Sequence, residues 1–359
     1  MDSDSPVPTP RALVLPELLT PDDAASYAAL DTDAVWWDAH GHWSSFRGEK
    51  AADALNGLIT NDVATLVPGE GMHAAALSPK GKMIADMLVI RIDATNFLMT
   101  VLPSAAPAWL ELTRKYVNPR LAKVADESAQ WHTWMLYGAR APQAIAALGG
   151  GDATVESLSD GMVSALAEWP VWHHAEWNLG PVTVRLVRAP LMGSRPGFML
   201  IANASDAATV QTLFERSPIR PGTRNVWNVC RVEAGRPAMG ADMDENTIPQ
   251  EANLDTLGAI SFTKGCYTGQ ETVARVHFRG HVNRHLRGLR ASAALPQGAE
   301  VADGTGKVVG DVRSSVQSPR LGFIALAMIR REVAAGSTVV VTTDSGPLDA
   351  TVIELPFPA

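Results

Sequence analysis

The chain has 359 residues, of which 46% are hydrophobic and 19% are charged. This is the balance of an ordinary globular protein, and the length predicts two or three domains rather than one compact core. The formal net charge of −8 argues against a protein that coats nucleic acid or anionic membrane, because such binding depends on clustered Lys and Arg.

Neither a membrane anchor nor a disulfide framework is expected. No run approaches the roughly 18 apolar residues that span a bilayer, and the N-terminal MDSDSPVPTPRALVLPE lacks the apolar core of a signal peptide. Cys230 and Cys266 are the only two cysteines and form no CxxC pair. We therefore expect free thiols and a cytoplasmic protein.

The first 140 residues alternate between helical and extended patterns. Residues 1–20, rich in proline and acidic side chains, predict a flexible leader. Residues 21–30 and 48–60 have helical spacing, and the turn SPKG joins two predicted strands into a hairpin. A strand, a helix and a further strand follow, namely FLMTVLP, PAWLELTRKYV and WHTWMLYG. No GxGxxG or GxxxxGK[ST] loop occurs, which disfavours a nucleotide-binding fold.

A comparable series follows, and the last part of the chain differs from it. PQAIAALG and ASDAATVQTLFER predict helices, whereas PVTVRLVRA and GFMLIAN predict strands. Short β-rich runs separated by Gly, Pro and Ser then predict a small β-barrel. The predicted α+β protein consists of a leader (1–20), a first αβ half (21–140), a second αβ half (141–285) and a barrel (286–359).

Asp86 lies within MIADMLVI, a predicted strand whose two faces are both apolar. A carboxylate buried there costs roughly several kcal/mol unless it is paired, hydrogen-bonded or protonated. Asp86 is therefore bonded to backbone or to an arginine, or lies at an exposed edge, or faces a ligand. The pattern leaves these alternatives open.

The segment Lys264–Glu271, KGCYTGQE, concentrates chemically active side chains without an apolar period. Lys264 is a cation two residues from Cys266, and a nearby cation raises the fraction of reactive thiolate. The two glycines let a ligand or another backbone approach closely. The alternative is that Cys266 is a small buried hydrophobe. Gln270 and Glu271 either cap the following element or bind the donors of a ligand.

A basic stretch follows, with no acidic residue from Thr272 to Ala299. It is either a solvated strand and linker or an electropositive rim for a polyanionic ligand. Its basic side chains are Arg275, His277, Arg279, His281, Arg284, His285, Arg287 and Arg290. No metal site is expected, because HExxH is absent and Gly280 argues against a sustained helix through His281 and His285. Of the ten tryptophans, one or two can stack on a flat ligand, but the sequence does not select which.

These segments resemble a known family. All eight positions of KGCYTGQE fit the signature of the YgfZ-type folate-binding proteins, which are relatives of the glycine-cleavage T-protein, an aminomethyltransferase. CRVEAGRPAMGADMDENTIPQEANL and VARVHFRGHVNRHLRGL are similar to the flanks of that signature. LNGLITNDVATLVPGEGMHAAALSPKGKMIADMLV is similar to the N-terminal half of the family, and VRSSVQSPRLGFIALAMIRRE to its barrel. The resemblance begins at about residue 30 and is weakest from about 145 to 215.

The resemblance implies a T-protein-like ring of two αβ halves around a central folate channel, with a small C-terminal β-barrel. It implies tetrahydrofolate, or a polyglutamylated folate, as the cofactor. Asp86 matches the aspartate that aminomethyltransferases direct at the reactive nitrogens of the folate, and Arg231 matches an arginine near the folate. The segment Leu191–Met199, LMGSRPGFM, lacks the glutamate that holds the pterin in those enzymes. This departure argues against glycine-cleavage activity, since the donor edge of the pterin needs another acceptor.

The site predicted from the residues and the resemblance has two overlapping parts and no metal. The candidate catalytic residues are Cys266, Lys264 and Asp86. The candidate folate-binding residues are Asp86, Arg231, Lys264, Tyr267, Gln270 and Glu271.

YgfZ-type proteins are associated with the maintenance of iron-sulfur enzymes and, in some members, with tRNA modification that depends on such enzymes. The resemblance therefore predicts a tetrahydrofolate-binding accessory protein that supports iron-sulfur cluster assembly or repair, with iron-sulfur proteins or cluster carriers as partners. One cysteine in the signature cannot hold a conventional cluster, which takes about four. The alternative is a tetrahydrofolate-dependent aminomethyl or one-carbon transferase. A third hypothesis, a folate-independent tRNA or protein interaction module based on the basic stretch, is disfavoured by the acidic net charge of the chain.

Overall fold

The structure, a computed structural model, describes residues 13–149 and 160–358. Most of the predicted leader therefore lies outside the described residues, and Val14 pairs with Gln297 of the C-terminal unit through a short antiparallel bridge. The described elements form two open sheets and a closed barrel. None of the helices in this part of the chain is both long enough and apolar enough to span a membrane.

The first sheet has five antiparallel strands. They are β3 (Gly71–Leu77), β4 (Met83–Arg91), β5 (Asn96–Val101), β2 (His42–Arg47) and β6 (Lys123–Asp126), in that spatial order. Helices α2 (Ala51–Asn56) and α3 (Ala106–Tyr116) cover one face and bury Phe46, Phe97 and Trp109 against it. The predicted SPKG hairpin is confirmed, with Gly81 at φ +74° closing the turn between β3 and β4.

The second sheet has six strands and draws on both predicted αβ halves. Its strands are β11 (Arg220–Pro221), β1 (Val35–Ala39), β7 (Trp131–Tyr137), β10 (Gly197–Asn203), β9 (Val182–Arg188) and β8 (His174–Leu179), in spatial order. The predicted boundary between residues 140 and 141 falls inside this sheet, because β1 and β7 precede it and the other strands follow it. Strand pairing between distant segments is not visible in local periodicity, which explains the difference.

Helices cover both faces of the six-stranded sheet. On one face, α4 (Ala141–Gly149), α5 (Asp160–Glu168) and α6 (Ala207–Arg216) share a core with Trp134, Phe198 and Phe214. On the other, α1 (Pro21–Thr32) and α7 (Arg224–Glu233) join a core that extends to the outer face of the barrel. This second core connects all three units, so the orientation of the sheets to each other is set by apolar packing.

The C-terminal unit is the small β-barrel expected from the sequence. Its strands, in spatial order around the closed barrel, are β12 (Arg284–Ala291), β15 (Gly322–Arg330), β14 (Val308–Ser318), β13 (Glu300–Ala302), β16 (Thr338–Thr343) and β17 (Gly346–Ile353). Closure leaves no unpaired strand edge. The barrel begins at Arg284, two residues before the predicted boundary.

The basic stretch does not begin as the strand and linker that the sequence suggested. It begins as helix α8 (Gln270–Arg279), which ends before Gly280. Gly269, at φ +82°, turns the chain into the helix, and Val273 is its buried contact. Val273 and Val276 recur at helical spacing, but so short a pattern does not distinguish a helix from a linker.

Candidate functional site

A cavity of about 240 Å³ lies between the two sheets. The five-stranded sheet contributes Asp86 and Met87, the six-stranded sheet contributes Met135 and Met199, and α7 contributes Arg231. The walls are mainly apolar, with a few polar groups set into them. Ligand sites commonly combine these features, since apolar walls provide contact area and isolated polar groups fix orientation.

Asp86 lies on the cavity wall and is paired with His73. His73 is opposite Leu88 and Asp86 is opposite Ala75, so the two side chains are diagonal neighbours on one face of β3 and β4. His73 Nε2 and Asp86 Oδ1 share a hydrogen bond. The Asp86 side chain remains 28% exposed, and both residues line the cavity. The carboxylate thus has the partner that its burial requires and also faces a space large enough for a ligand.

Arg231 also lines the cavity, but the protein itself uses much of its donor capacity. Its Nη1 donates to Asp242 Oδ2 at 2.6 Å and to the Arg236 carbonyl at 2.8 Å, and its Nη2 donates to Ser314 Oγ at 2.8 Å. Asp242 is fully buried. Arg231 therefore ties α7 to the following loop and to the barrel. Its position in the cavity wall is what would bring it near a bound ligand.

Arg236 is a cavity residue that sequence reasoning missed. Its Nη2 donates to the Pro190 carbonyl at 3.2 Å, and its side chain lines the cavity. Burial lowers the pKa of Arg236, and the negative charge of Asp86 opposes this shift. The cavity thus carries a cation near its acid. The available signal was the second arginine in RVEAGRP, five residues after Arg231.

The KGCYTGQE loop borders the five-stranded sheet but does not supply cavity-lining residues. Of the described residues that line the cavity, none lies in Lys264–Glu271. Gly269 packs so closely on the SPKG turn that a Cβ atom there would lie 2.5 Å from the Ser78 carbonyl oxygen. The loop therefore contacts one end of the hairpin whose strand β4 carries Asp86.

Lys264 points into the protein and holds this loop in place. Its Nζ donates to the carbonyl oxygens of Asn56, Ile59 and Asn61 at 2.7, 2.8 and 2.7 Å. An ammonium has three N–H donors, so these acceptors saturate it. Burial lowers the pKa of Lys264 to about 8. The Tyr267 ring lies 5.0 Å from Nζ, and burial raises the pKa of Tyr267 to about 12.

Cys266 is exposed, so the alternative in which it is a buried hydrophobe is wrong. Gln270 and Glu271 begin helix α8, where Glu271 is exposed and Gln270 Nε2 donates to the Gly265 carbonyl at 3.4 Å. Both side chains lie in the first turn of the helix, but the N-cap residue is Gly269 and no side-chain capping hydrogen bond forms there. Their roles toward a ligand, like that of the thiol, remain predictions.

Part of the basic stretch is neutralised by acidic side chains. Arg284 Nε lies 2.9 Å from Glu251 Oε1, and Arg287 Nη1 lies 2.7 Å from Glu354 Oε1. His277 stacks on Phe262 with 3.6 Å between the ring centroids. The described residues contain no group of three or more His, Cys, Asp or Glu side chains arranged to hold a metal.

The segment Leu191–Met199 contributes an apolar wall where the resemblance led us to look for an acid. Leu191 and Met199 line the cavity. Arg195 points away from it, with Nη2 donating to Asp31 Oδ1 at 2.9 Å and Nη1 lying 3.7 Å from Glu233 Oε2. Among the described residues that line the cavity, Asp86 is the only one with a carboxylate side chain.

Comparisons with known proteins agree with this arrangement. Residues 24–264 match the family model described as the GCVT N-terminal domain, and residues 284–358 match the glycine cleavage T-protein C-terminal barrel domain. The solved structure of the glycine cleavage system aminomethyltransferase T from Bartonella henselae superposes with a TM-score of 0.81 at 20% identity, over 95% of this chain and 91% of that one. At this identity the likeness establishes the fold alone.

Similar curated proteins show which type of T-protein relative this chain is. The tRNA-modifying protein YgfZ of Escherichia coli O157:H7 is 30% identical over 262 residues, and that of Escherichia fergusonii is 29% identical, each covering 72% of both chains. An aminomethyltransferase of Cupriavidus necator is 28% identical over 92% of this chain and 87% of its own. The chain belongs to the glycine-cleavage T-protein superfamily, as a YgfZ-type member.

Proposed function

We propose that this chain is a tetrahydrofolate-binding accessory protein that supports iron-sulfur cluster assembly or repair. The observation that carries the folate part is Asp86, a carboxylate set into the wall of an apolar cavity between the two sheets. Membership of the glycine-cleavage T-protein superfamily supports the same ligand, since its aminomethyltransferases act with folate. A cytoplasmic location and iron-sulfur partners are further parts of this proposal.

The residues of the cavity fit a reduced pterin. The pyrimidine ring of such a pterin is flat and apolar on its faces and carries N–H donors along one edge. Met135 and Met199 offer polarizable contacts for the faces, and the Asp86 carboxylate offers an acceptor for the edge. Arg236 adds a cation that can donate to an oxygen of the ring or of its substituents.

Each polar residue then has a distinct task toward the ligand. Asp86 accepts from a ring nitrogen and fixes the orientation of the pterin, while His73 holds the carboxylate in place through the shared hydrogen bond. Tetrahydrofolate, when bound, supplies reduced nitrogens that can carry a one-carbon unit. The mainly apolar wall limits water around these groups, which strengthens every polar contact made there.

The iron-sulfur part rests on the family type and on the exposed thiol. Cys266 is available to a partner molecule, whereas Cys230 is buried. Since a conventional cluster takes about four cysteine ligands, Cys266 acts on a partner that holds the cluster. Lys264 and Tyr267 position the loop, because the lysine is bound to backbone carbonyls of the first sheet's connections.

Calorimetry with tetrahydrofolate and its polyglutamate tests the folate part directly. The wild type is expected to bind both, and Asp86→Asn is expected to bind at least tenfold more weakly because it loses a charged acceptor, which corresponds to about 1.4 kcal/mol. The matched control is Asp93→Asn, which replaces an acid that follows β4 and does not line the cavity. Absence of binding by the wild type would refute the folate assignment.

Complementation tests the iron-sulfur part. A strain without the gene is expected to have lower activity of iron-sulfur enzymes, and Cys266→Ser is expected not to restore it. Cys230→Ser removes the other thiol and serves as the control, with full rescue expected. Full rescue by Cys266→Ser would remove the thiol from the function.

A second candidate function is a tetrahydrofolate-dependent aminomethyl or one-carbon transferase. It is favoured by the likeness to the Cupriavidus necator aminomethyltransferase along 92% of the chain and by the position of Asp86. This function requires turnover of a methylamine donor with tetrahydrofolate, abolished by Asp86→Asn. Tetrahydrofolate binding without turnover across a panel of donors would leave the accessory role as the better assignment.

A further inference from the structure

Trp172 lies on the cavity wall in an unusual backbone conformation. Its φ is +66°, and Asn253 is the only other non-glycine residue with positive φ in the described part of the chain. Bulky residues avoid this region because Cβ approaches the carbonyl oxygen that follows. Such strain persists where the surrounding structure imposes it, and it is concentrated at functional sites.

The strained conformation belongs to a tight turn that the protein fixes from several sides. The His173 amide donates to the Pro170 carbonyl at 3.0 Å, which places Trp172 third in a four-residue turn, and the Trp172 amide donates to the Arg188 carbonyl at 2.9 Å. This position commonly takes glycine or asparagine when φ is positive. A Cβ atom on Gly71 would lie 3.1 Å from the Trp172 carbonyl oxygen, so the turn packs closely on β3.

The turn brings the indole next to the acid of the cavity. The Trp172 ring centroid lies 6.4 Å from that of His73, with the rings tilted by 49°. His73 in turn shares its hydrogen bond with Asp86. An aromatic face and a carboxylate acceptor therefore stand side by side in the cavity wall.

The other two tryptophans of the cavity make further contacts within the protein. Trp43 is 1% exposed, and its Nε1 donates to Thr133 Oγ1 at 3.0 Å. Trp227 makes edge contacts with Trp37 and Tyr137, with ring centroids 5.8 and 5.7 Å apart. Trp172 and Trp227 are both half-buried and pack against the same core, but Trp172 has the cavity-lining imidazole of His73 as its aromatic neighbour. Of the three, Trp172 is the one whose ring neighbours the His73–Asp86 pair.

We infer that Trp172 is the specificity-determining residue of the cavity, whose indole packs on the flat ring of the ligand while Asp86 binds the edge of that ring. The inference rests on the proposed folate function and names the part of the folate that is recognised. The left-handed turn is retained because it directs the indole into the cavity. Trp172 thus selects flat heteroaromatic ligands over aliphatic ones of similar polarity.

The test uses two probes, tetrahydrofolate and 6-methyltetrahydropterin, which has the reduced ring without the benzoylglutamate tail. Trp172→Ala is expected to weaken binding of both probes by a similar factor, about tenfold or more, because both lose the same ring contact. Trp172→Phe keeps an aromatic face and is expected to bind within a few fold of the wild type. Trp169→Phe, a neighbouring tryptophan outside the cavity, is the control and should bind like the wild type.

Trp172→Gly separates folding from binding, because glycine accepts positive φ without strain. It is expected to unfold at a temperature no lower than Trp172→Ala and still to lose binding. Unchanged affinity in Trp172→Ala or Trp172→Gly would overturn the inference, as would a loss confined to tetrahydrofolate, which would place the indole against the tail. If the wild type binds neither probe, the folate function itself fails and the inference falls with it.

Discussion

His73 and Asp86 share a hydrogen bond on the cavity side of β3 and β4, although 13 residues separate them in the chain. Nδ1 of His73 is buried without a partner in the described structure, so the pair is the main polar contact of this ring. A paired carboxylate in an apolar wall is tolerated, whereas an unpaired one is destabilising.

Replacement of His73 by Phe should therefore destabilise the protein through Asp86. The variant keeps a ring of similar size but removes the hydrogen-bond partner, and a loss of about 1–3 kcal/mol in the free energy of unfolding is expected. Because the effect depends on the carboxylate, His73→Phe should cost less in an Asp86→Leu background. Urea denaturation of the four proteins gives the coupling energy. Additive losses would contradict a role for the pair.

This pair shows which part of the site the sequence could predict and which part it could not. The need of Asp86 for a partner follows from two apolar strand faces, but the identity of that partner depends on the register of β3 against β4. Register places His73 diagonally from Asp86, and local pattern does not contain that information. For the same reason Arg236 was missed, since a loop residue enters a cavity only through tertiary packing.

The KGCYTGQE loop shows the opposite case, in which a motif was recognised and the orientation of its members was not. Lys264 was expected beside the thiol as a cation, yet its three hydrogen bonds run to backbone carbonyls of residues 56–61. Spacing in a loop does not determine direction, because two residues on one turn can point to opposite sides. The position of the barrel was easier to predict, since each strand carries its own alternation of apolar residues.

Loss of the Lys264 ammonium should loosen this loop. Lys264→Met keeps the length of the side chain but leaves three carbonyl acceptors without their donor, and we expect a loss of about 2–4 kcal/mol in the free energy of unfolding. Hydrogen exchange at residues 264–271 should also accelerate, because their anchor is gone. Lys80→Met, at an exposed lysine of the SPKG turn, is the control. Wild-type stability in Lys264→Met would show that the three bonds contribute little.

The two thiols should differ strongly in reactivity. Cys230 is 1% exposed, and burial raises its pKa to about 12, so almost none of it is thiolate at neutral pH. Cys266 is exposed. A native-state titration with a thiol-specific disulfide reagent should therefore modify one cysteine rapidly, and Cys266→Ser should abolish that phase while Cys230→Ser leaves it unchanged. Equal rates for both cysteines would be inconsistent with the burial of Cys230.

His174 should make the protein less stable in mild acid. It is 2% exposed and accepts a hydrogen bond at Nδ1 from Arg185 Nη1 at 3.1 Å, while its Nε2 is buried without a partner in the described structure. Burial lowers the pKa of His174 to about 4, and the positive charge of Arg185 adds to this shift. The folded protein thus keeps the ring neutral at pH values where the unfolded chain binds a proton.

The sign of the effect follows from this difference. Above about pH 6.5 both states have a neutral histidine, so the stability is unaffected; between about pH 6.5 and 4 only the unfolded state is protonated, and stability falls by up to about 1.4 kcal/mol per pH unit. In His174→Asn, which keeps an acceptor for Arg185, this part of the pH dependence should disappear. Urea denaturation at pH 7.5, 6 and 5 should show the stabilities of the wild type and of His174→Asn becoming more similar as the pH falls. The control is His281→Asn, at an exposed histidine, whose stability curve should be parallel to that of the wild type. A parallel curve for His174→Asn would show that the His174 ring is protonated to the same extent in the folded and unfolded states.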